Sequence, residues 1–295
     1  MEPLATIQAL ISRHGHAAGM PSPLEGVRLI AQSTPTAATS GIHEAAFALV
    51  VQGVKRTVIG NKVLEYGAGD YLVVPVELPV VGQVVEAGIE KPYLAFVWAL
   101  DPASIAALML EIDGASSGMG RQAGPAISPA PYDLLDPIAR LLRLLDRPED
   151  ARFLRPMLER EILWRLLAGA QGDIVRQIGT ADSRISQISR AIREIRTHYA
   201  ESLRIEDLAT VAMMSVPTFH RHFRAMTSMS PLQFQKQVRL HEARTRIIAS
   251  TKDVAAVGFE VGYDSPSQFG REYNRFFGVS PGKDMRRLRG TSRDE

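Results

Sequence analysis

Ser215–Pro231 reads SVPTFHRHFRAMTSMSP, and fifty residues later Ser265–Pro281 reads SPSQFGREYNRFFGVSP. Under that offset Ser215, Phe219, Arg221, Phe223, Ser230 and Pro231 fall on Ser265, Phe269, Arg271, Tyr273, Ser280 and Pro281. An internal repeat of this kind marks a duplicated structural unit. In each copy the pattern predicts a helix capped by a Ser, with a first turn that tolerates Pro. Aromatics at i and i+4 share its inward face. An Arg two residues after the first aromatic points elsewhere, and Ser-Pro opens the next helix. Ser228 stands where the second copy has Gly278. That position is expected to be a left-handed helix end, where Ser costs about 1 kcal/mol.

Upstream of each copy lies a short apolar segment holding a small residue, Leu208-Ala209-Thr210-Val211 in one and Val257-Gly258-Phe259-Glu260-Val261 in the other. A short helix with a small contact residue, a tight turn and a second helix make the helix-turn-helix pattern. From the small residue to the Ser, the second copy is one residue longer, so the two turns should differ. The stretches SVPTFHRHFRAMTSMSPLQFQKQVRLHEAR and VGYDSPSQFGREYNRFFGVSP resemble the DNA-binding domain of the AraC/XylS family of bacterial transcription regulators. The second is the more specific, through its GY-x-S-x-S-x-F run and the R-x-Y-x-R-x-F-G-x-SP that follows.

The 295 residues allow two domains of ordinary size, and 45% hydrophobic against 22% charged residues is enough for each to bury a core. The absence of cysteine excludes disulfides, iron–sulfur clusters, thiolate zinc sites and a cysteine nucleophile, and fits a reducing cytosol. MEPLATIQALISRHGH reads as a short helix with no leader pattern. The most apolar stretch, Tyr93–Ile112, is divided by Asp101-Pro102, so strand then helix is expected and no membrane span. From Ser183 onward, 19 Lys and Arg oppose 12 Asp and Glu; the remainder has 15 against 20. The basic half is the half that carries the repeat, and basicity joined to a paired helix-turn-helix points to nucleic acid.

Earlier in the chain, Met20–Gly41 is rich in Pro, Ser, Thr and Ala and reads as extended or loop. Ala45–Leu100 has β texture: AAFALVVQG, VKRTVIG, KVLEYGAGDYLVVP, VVGQVVE and YLAFVWAL, punctuated by Gly or Pro. Tight hairpins are expected at Gly60-Asn61 and at the Gly67–Asp70 corner. Short strands at this spacing predict a small barrel or sandwich. The order QG-x-K, GN-x-x-x-x-Y-x-AG-x-YLVVP, ELPV-x-G and PYLAF-x-x-x-LDP resembles the cupin-like N-terminal domain of one branch of the same family, over roughly Gly41–Leu110. Such domains are implied to bind small effectors, dimerise, or both. The inward residues (Val, Leu, Phe, Ala) suit a hydrophobic ligand or, equally, a closed core.

Two leucine-rich stripes follow. Leu134, Leu135, Ile138, Leu141, Leu142 and Leu145 make one; Phe153, Leu154, Met157, Leu158, Ile162, Leu166 and Leu167 make the other. Each either covers the barrel or forms a dimer face. Gly169–Gly172 ends this block, and Asp173–Asp182 is expected to be a linker. Ile185, Ile188, Ile192, Ile195 and Tyr199 then form the apolar face of the next helix.

With Phe219 and Phe223 in the core, the first recognition helix turns Val216, Pro217, His220, Arg221 and Arg224 outward. With Phe269 and Tyr273 in the core, the second exposes Pro266, Ser267, Gln268 and Arg271. The resemblance implies that Pro217, His220, Arg221, Ser267, Gln268 and Arg271 sit where family members touch bases. No metal or cofactor is expected. His43 is the one His of the β region, while His14-x-His16, with no evident carboxylate partner, and His220-x-His222 lack the strand context of a cupin metal site. No nucleophile elbow, phosphate loop or carboxylate pair is present, and Glu159-Arg160-Glu161 is the polar side of a helix.

The expectation is an α+β multidomain protein. Residues 1–172 form a cupin-like β-barrel with flanking helices, 173–182 a linker, and 183–295 an all-α DNA-binding domain with helix-turn-helix units at about 203–226 and 253–277. Its function is that of a cytoplasmic, dimeric, non-enzymatic transcription regulator. Its partners are double-stranded DNA, a small effector in the barrel, a second copy and, where it activates, RNA polymerase. The rival is a metal-free cupin-like enzyme with an accessory DNA-binding domain.

Overall fold

A computed structural model describes residues 2–16, 22–112, 126–180, 183–249 and 253–291. These form two compact units, one mainly of residues up to Ser186 and the other mainly from Gln187 onward.

The first unit opens with α1 (Pro3–His14), which buries Ile7, Leu10 and Ile11. Its strands are β1 (Val27–Gln32), β2 (Thr39–His43), β3 (Ala46–Gln52), β4 (Val54–Ile59), β5 (Lys62–Gly67), β6 (Asp70–Val74), β7 (Leu78–Glu86), β8 (Tyr93–Ala99) and β9 (Ile127–Pro129). They make two sheets, ordered β1-β8-β3-β6-β9 and β2-β7-β4-β5. β1 and the start of β2 lie within the stretch expected to be irregular; its Pro and Ser content masks the alternation of buried Val27 and Leu29 with exposed Arg28.

In the first sheet, cross-strand registers align Leu29, Phe96, Leu49 and Tyr71 in one row and Arg28, Val97, Ala48 and Leu72 in the next. Adjacent rows point to opposite faces. Between Ile59 and Lys62 the hairpin closes through Gly60-Asn61, with φ +60° at Gly60. The second expected hairpin is instead a corner that carries the chain from one sheet to the other. There Gly69 takes φ +87° and the Gly67 amide donates to the Asp70 carboxylate at 3.1 Å.

The helices of this unit are α2 (Pro102–Glu111), α3 (Tyr132–Arg143), α4 (Pro148–Ala168) and α5 (Gly172–Gly179). Asp101 caps α2, accepting from the Ala103 and Ser104 amides at 3.2 and 3.0 Å, so the strand-then-helix division holds. Leu134, Leu135, Ile138, Leu141 and Leu142 of α3 are buried inside the unit. On α4, Leu158, Ile162, Leu166 and Leu167 are buried, while Phe153, Leu154, Met157 and Trp164 stay exposed. The expected linker is helical: α5 buries Ile174, Val175 and Ile178. Just before it, the buried Gln171 side chain accepts from the Val73 amide at 3.0 Å and donates to Ala126 O and Ser128 Oγ, both at 3.0 Å. This amide therefore ties the sheet to the helices. Tyr71 Oη lies 3.6 Å from where a Cβ on Gly169 would stand, so the row containing Tyr71 faces the helical layer.

The second unit is helical: α6 (Arg184–Thr197, whose first turn belongs to the first unit), α7 (Ile205–Val211), α8 (Val216–Thr227), α9 (Pro231–Ala249), α10 (Val254–Glu260), α11 (Pro266–Phe277) and α12 (Pro281–Thr291). The isoleucine face of α6 is buried. Among the described residues no helix is long and apolar enough to cross a membrane.

Candidate DNA-binding surface

The repeat builds two copies of one device. In the first, α7 meets α8 across residues 212–215; in the second, α10 meets α11 across 261–265, one residue more. Both turns close the same way. The Met214 amide donates to Ala209 O at 2.9 Å, and the Tyr263 amide to Gly258 O at 3.0 Å. At the crossing, a Cβ on Gly258 would come within 2.9 Å of Phe269 Cδ1. Ala209 fills the matching place in the first copy and is buried. The left-handed residues also correspond: Met213 (φ 52°) with Gly262 (φ 92°), and Ser228 (φ 58°) with Gly278 (φ 71°). Ser228 therefore adopts the expected conformation.

The two Ser residues do less than the capping pattern suggests. Ser265 holds the N-cap position of α11 but makes no side-chain cap bond, and the Ser215 hydroxyl donates to Thr218 Oγ1 at 3.0 Å. The side-chain capping box lies at the start of α9. Ser230 Oγ accepts from the Gln233 amide at 3.2 Å, and Gln233 Oε1 accepts from the Ser230 amide at 2.9 Å.

Phe219 and Phe223 of α8, and Phe269 and Tyr273 of α11, are fully buried. Phe223 packs edge-on against Phe234 of α9, with ring centroids 5.6 Å apart. Further along α9, Leu240, Ala243 and Ile247 join the core that holds Phe269 and Tyr273. One helix thus anchors both recognition helices. The opposite faces are open to solvent: Pro217, His220, Arg221 and Arg224 on α8, and Ser267, Gln268 and Arg271 on α11. No carboxylate among the described residues pairs with Arg221, Arg224 or Arg271, so these guanidiniums stand free. His222 is buried while His220 is exposed, so the two do not converge.

Three features of this surface were not read from the sequence. Asn274 and Arg275 extend the exposed face of α11. Glu272 brings a negative charge onto α11, but Lys236 Nζ (2.9 Å), Tyr263 Oη (3.0 Å) and Gln268 Nε2 (3.5 Å) donate to it. Although burial raises its pKa, those donors and the Lys236 charge hold the carboxyl below its ordinary range. Arg239 of α9 donates to Tyr199 O at 2.6 Å, Gly262 O at 2.7 Å and Glu201 O at 2.9 Å, joining the end of α6 to the second turn. An alternation of apolar and polar residues does not reveal such an anchor, because its acceptors are backbone carbonyls of distant segments.

Away from this surface, His14 does have a carboxylate partner, Asp146 at 2.7 Å, which Arg13 also contacts at 2.9 Å. Glu159 and Glu161 pair with Arg155 and Arg140 on helix faces. No group of three or more His, Asp or Glu that could hold a metal ion occurs among the described residues.

Residues 23–174 match the family described as AraC-type transcriptional regulator N-terminus, and residues 208–287 match a helix-turn-helix domain. The HTH-type transcriptional regulator ArgR of Pseudomonas aeruginosa is 25% identical over 152 residues, which are 52% of this chain and 46% of that protein. The HTH-type transcriptional activator RhaS of Escherichia fergusonii is 26% identical over 160 residues, 54% of this chain and 56% of that one. The match thus spans about half the length of these relatives. Among solved structures, unsaturated fatty acid-bound ToxT from Vibrio cholerae superposes with a TM-score of 0.56 at 9% identity, covering 92% of this chain and 99% of that one. At that identity the likeness is one of fold. By the match over the N-terminal half and the duplicated helix-turn-helix that follows it, the chain belongs to the AraC/XylS family of transcriptional regulators.

Proposed function

We propose that this protein is a cytoplasmic, sequence-specific, non-enzymatic transcription regulator that reads two successive major grooves with α8 and α11. The observation that carries this reading is the duplicated, outward-facing set of unpaired guanidiniums, Arg221 and Arg224 on one helix and Arg271 on the other, each backed by buried aromatics. Arg is the residue best suited to bidentate contact with guanine, and equally binds phosphate. α9, which links the two motifs, has 19 residues. At about 1.5 Å per residue it is about 28 Å long, comparable to the roughly 34 Å between successive major grooves.

The N-terminal barrel receives a small effector, and a second copy docks on the exposed side of α4. Support for the first is the family match over residues 23–174, together with a neighbour of the same fold that was crystallised with a fatty acid. Support for the second is the row of exposed Phe153, Leu154, Met157 and Trp164. A regulator seated beside a promoter also meets RNA polymerase, which completes the partner set.

The test is selection of bound sequences from a random duplex pool with the full-length protein. The expected result is a bipartite motif with two blocks about 10 base pairs apart, bound with a steep salt dependence. Recovery of unenriched sequence, or of a single block, overturns the two-groove reading.

A further inference from the structure

The barrel interior is not uniformly apolar. Its first sheet turns the row Leu29, Phe96, Leu49, Tyr71 toward the helices, so the row Arg28, Val97, Ala48, Leu72 faces the other way. The second sheet lies on that side. Tyr93, which shares the face of Arg28, has its pKa raised by burial first and then by the nearby phenol of Tyr66 on β5. Tyr66 pairs across the ladder with Lys55, and Lys55 pairs with Val84. Their neighbours point outward, where Arg56 holds Glu65 at 2.7 Å. Lys55 therefore points inward, and its side chain leans across β7 at Gly82. A Cβ there would lie 3.4 Å from Lys55 Cε and 3.9 Å from Nζ.

His43 of β2 completes the group. Burial first, then the charges of Lys55 and Arg28, push its pKa down to about 4, so near neutrality it is uncharged and can donate or accept one hydrogen bond. Burial, followed by the nearby Arg28, also lowers the Lys55 pKa. No carboxylate among the described residues pairs with Lys55 or Arg28. Lys55, withdrawn from bulk water, thus feels the like charge of Arg28, which stands exposed on the edge strand β1, and without an anion that arrangement is unfavourable. The surroundings are small and apolar: Ala48, Ala95, Val50 and Leu72 from one sheet, Val84 and Gly82 from the other. Ala48 and Gly82 remain half-buried although both lie on inner strands of their sheets, so neighbouring side chains leave each of them partly open.

We infer that the effector of the barrel is an organic carboxylate, its anionic head held by Lys55 and Arg28 beside His43 and its apolar body lying along Ala48, Ala95 and Val84. The inference rests on the reading of the barrel as an effector site and names the class of molecule it takes. Lys55 and Arg28 supply charge-assisted hydrogen bonds to the carboxylate oxygens. The alanines and Gly82 leave width for a chain or ring, and Thr57, hydrogen-bonded to Tyr66 at 3.1 Å, closes one wall.

The test is calorimetric titration of the full-length protein, and of its Lys55→Met and Arg28→Met variants, with acetate, butyrate, octanoate and benzoate, each matched by its primary amide. Thermal unfolding without ligand checks the fold. In wild type, octanoate or benzoate is expected to bind at least tenfold more tightly than its amide. Lys55→Met should erase that preference, yet melt no lower than wild type because it removes an unpaired interior charge. Amides that bind as well as acids to wild type, or a Lys55→Met variant that keeps the acid preference, overturn the anionic class while leaving the barrel an effector site. Failure of every acid and amide to bind overturns both.

Discussion

Met213 and Gly262 occupy equivalent places in the two helix-turn-helix turns, and both take a left-handed backbone. For Gly this conformation is free of Cβ strain, whereas a bulky L-residue incurs about 1–2 kcal/mol. Met213 is 62% exposed, so little packing offsets that strain. Met213→Gly is expected to stabilise the protein by about 0.5–1 kcal/mol, the strain relieved minus the extra freedom Gly brings to the unfolded chain. Gly262→Ala should do the reverse and more, since its Cβ would lie 2.2 Å from Ala200 O. A loss above about 2 kcal/mol is expected there, and urea unfolding of both variants checks the pair. Asp284 offers a second test at this scale. It is fully buried and accepts from Tyr273 Oη at 2.8 Å, Arg244 Nε at 2.9 Å and Arg287 at 2.9 Å. Burial alone would raise its pKa, but the Tyr273 bond and the Arg244 charge outweigh this and hold it below the ordinary 3.8. Its contribution is therefore complete above the unfolded-state value and lost as pH falls through the lower folded one. The melting gap between wild type and Asp284→Asn should be wide at about pH 6 and should close as the pH falls through the depressed folded value. The left-handed end at Ser228 was legible because Gly278 marked it in the other copy. The placement of Lys55 and Arg28 was not: the inward direction of Lys55 and the position of Arg28 on the exposed edge strand follow from strand register, and β1 was hidden among Pro and Ser.

Helix α4 shows where an apolar stripe stops being a core. Leu158, Ile162, Leu166 and Leu167 are buried within the first unit, yet Phe153 is 63% and Met157 67% exposed on the same helix. The sequence pattern displays both sets as one wide stripe, and only packing divides them. α3 reads as similarly apolar, but its Leu141 and Leu142 are wholly covered within the chain. A dimer contact through those leucines would require the unit to open, so the proposed second copy is assigned to α4. Phe153→Asp with Met157→Glu is expected to yield a folded monomer at micromolar concentration, because neither side chain supports the core. Leu141→Asp, in contrast, should cost about 4 kcal/mol or more by placing an unpaired carboxylate in the interior. Sedimentation equilibrium with circular dichroism separates these outcomes. A persistent dimer in the folded α4 variant would remove that helix from the interface. The α5 segment is a parallel case: Gly169 and Gly172 suggested a linker, whereas the apolar Ile174, Val175 and Ile178 beyond them are core residues.

At the scale of the whole molecule, the two recognition helices belong to separate copies of one motif and share the support of α9. Their surfaces were legible because a periodicity that buries Phe219, Phe223, Phe269 and Tyr273 must expose the residues between them. The supporting network of Arg239, Glu272 and Asp284 was not, since polar anchors leave no periodic trace. Arg221 and Arg271 stand two residues beyond the first buried aromatic of their helices, exposed and without a carboxylate partner. If each pairs bidentately with a guanine, its replacement by Ala should cost about 1–3 kcal/mol and relax preference at one base pair. A phosphate contact would instead weaken all sequences alike and reduce the salt slope by about one. Because the helices occupy successive grooves in the proposed complex, the affected positions should lie about 10 base pairs apart. Residues that share no partner also act independently, so the costs of Arg221→Ala and Arg271→Ala should sum in the double variant to within about 0.5 kcal/mol. Binding-specificity profiles of the two single variants and the double variant, each with its fold checked by circular dichroism, decide the matter. Loss of preference at the same base pairs in both single variants, or unchanged binding in either, would defeat the two-groove arrangement.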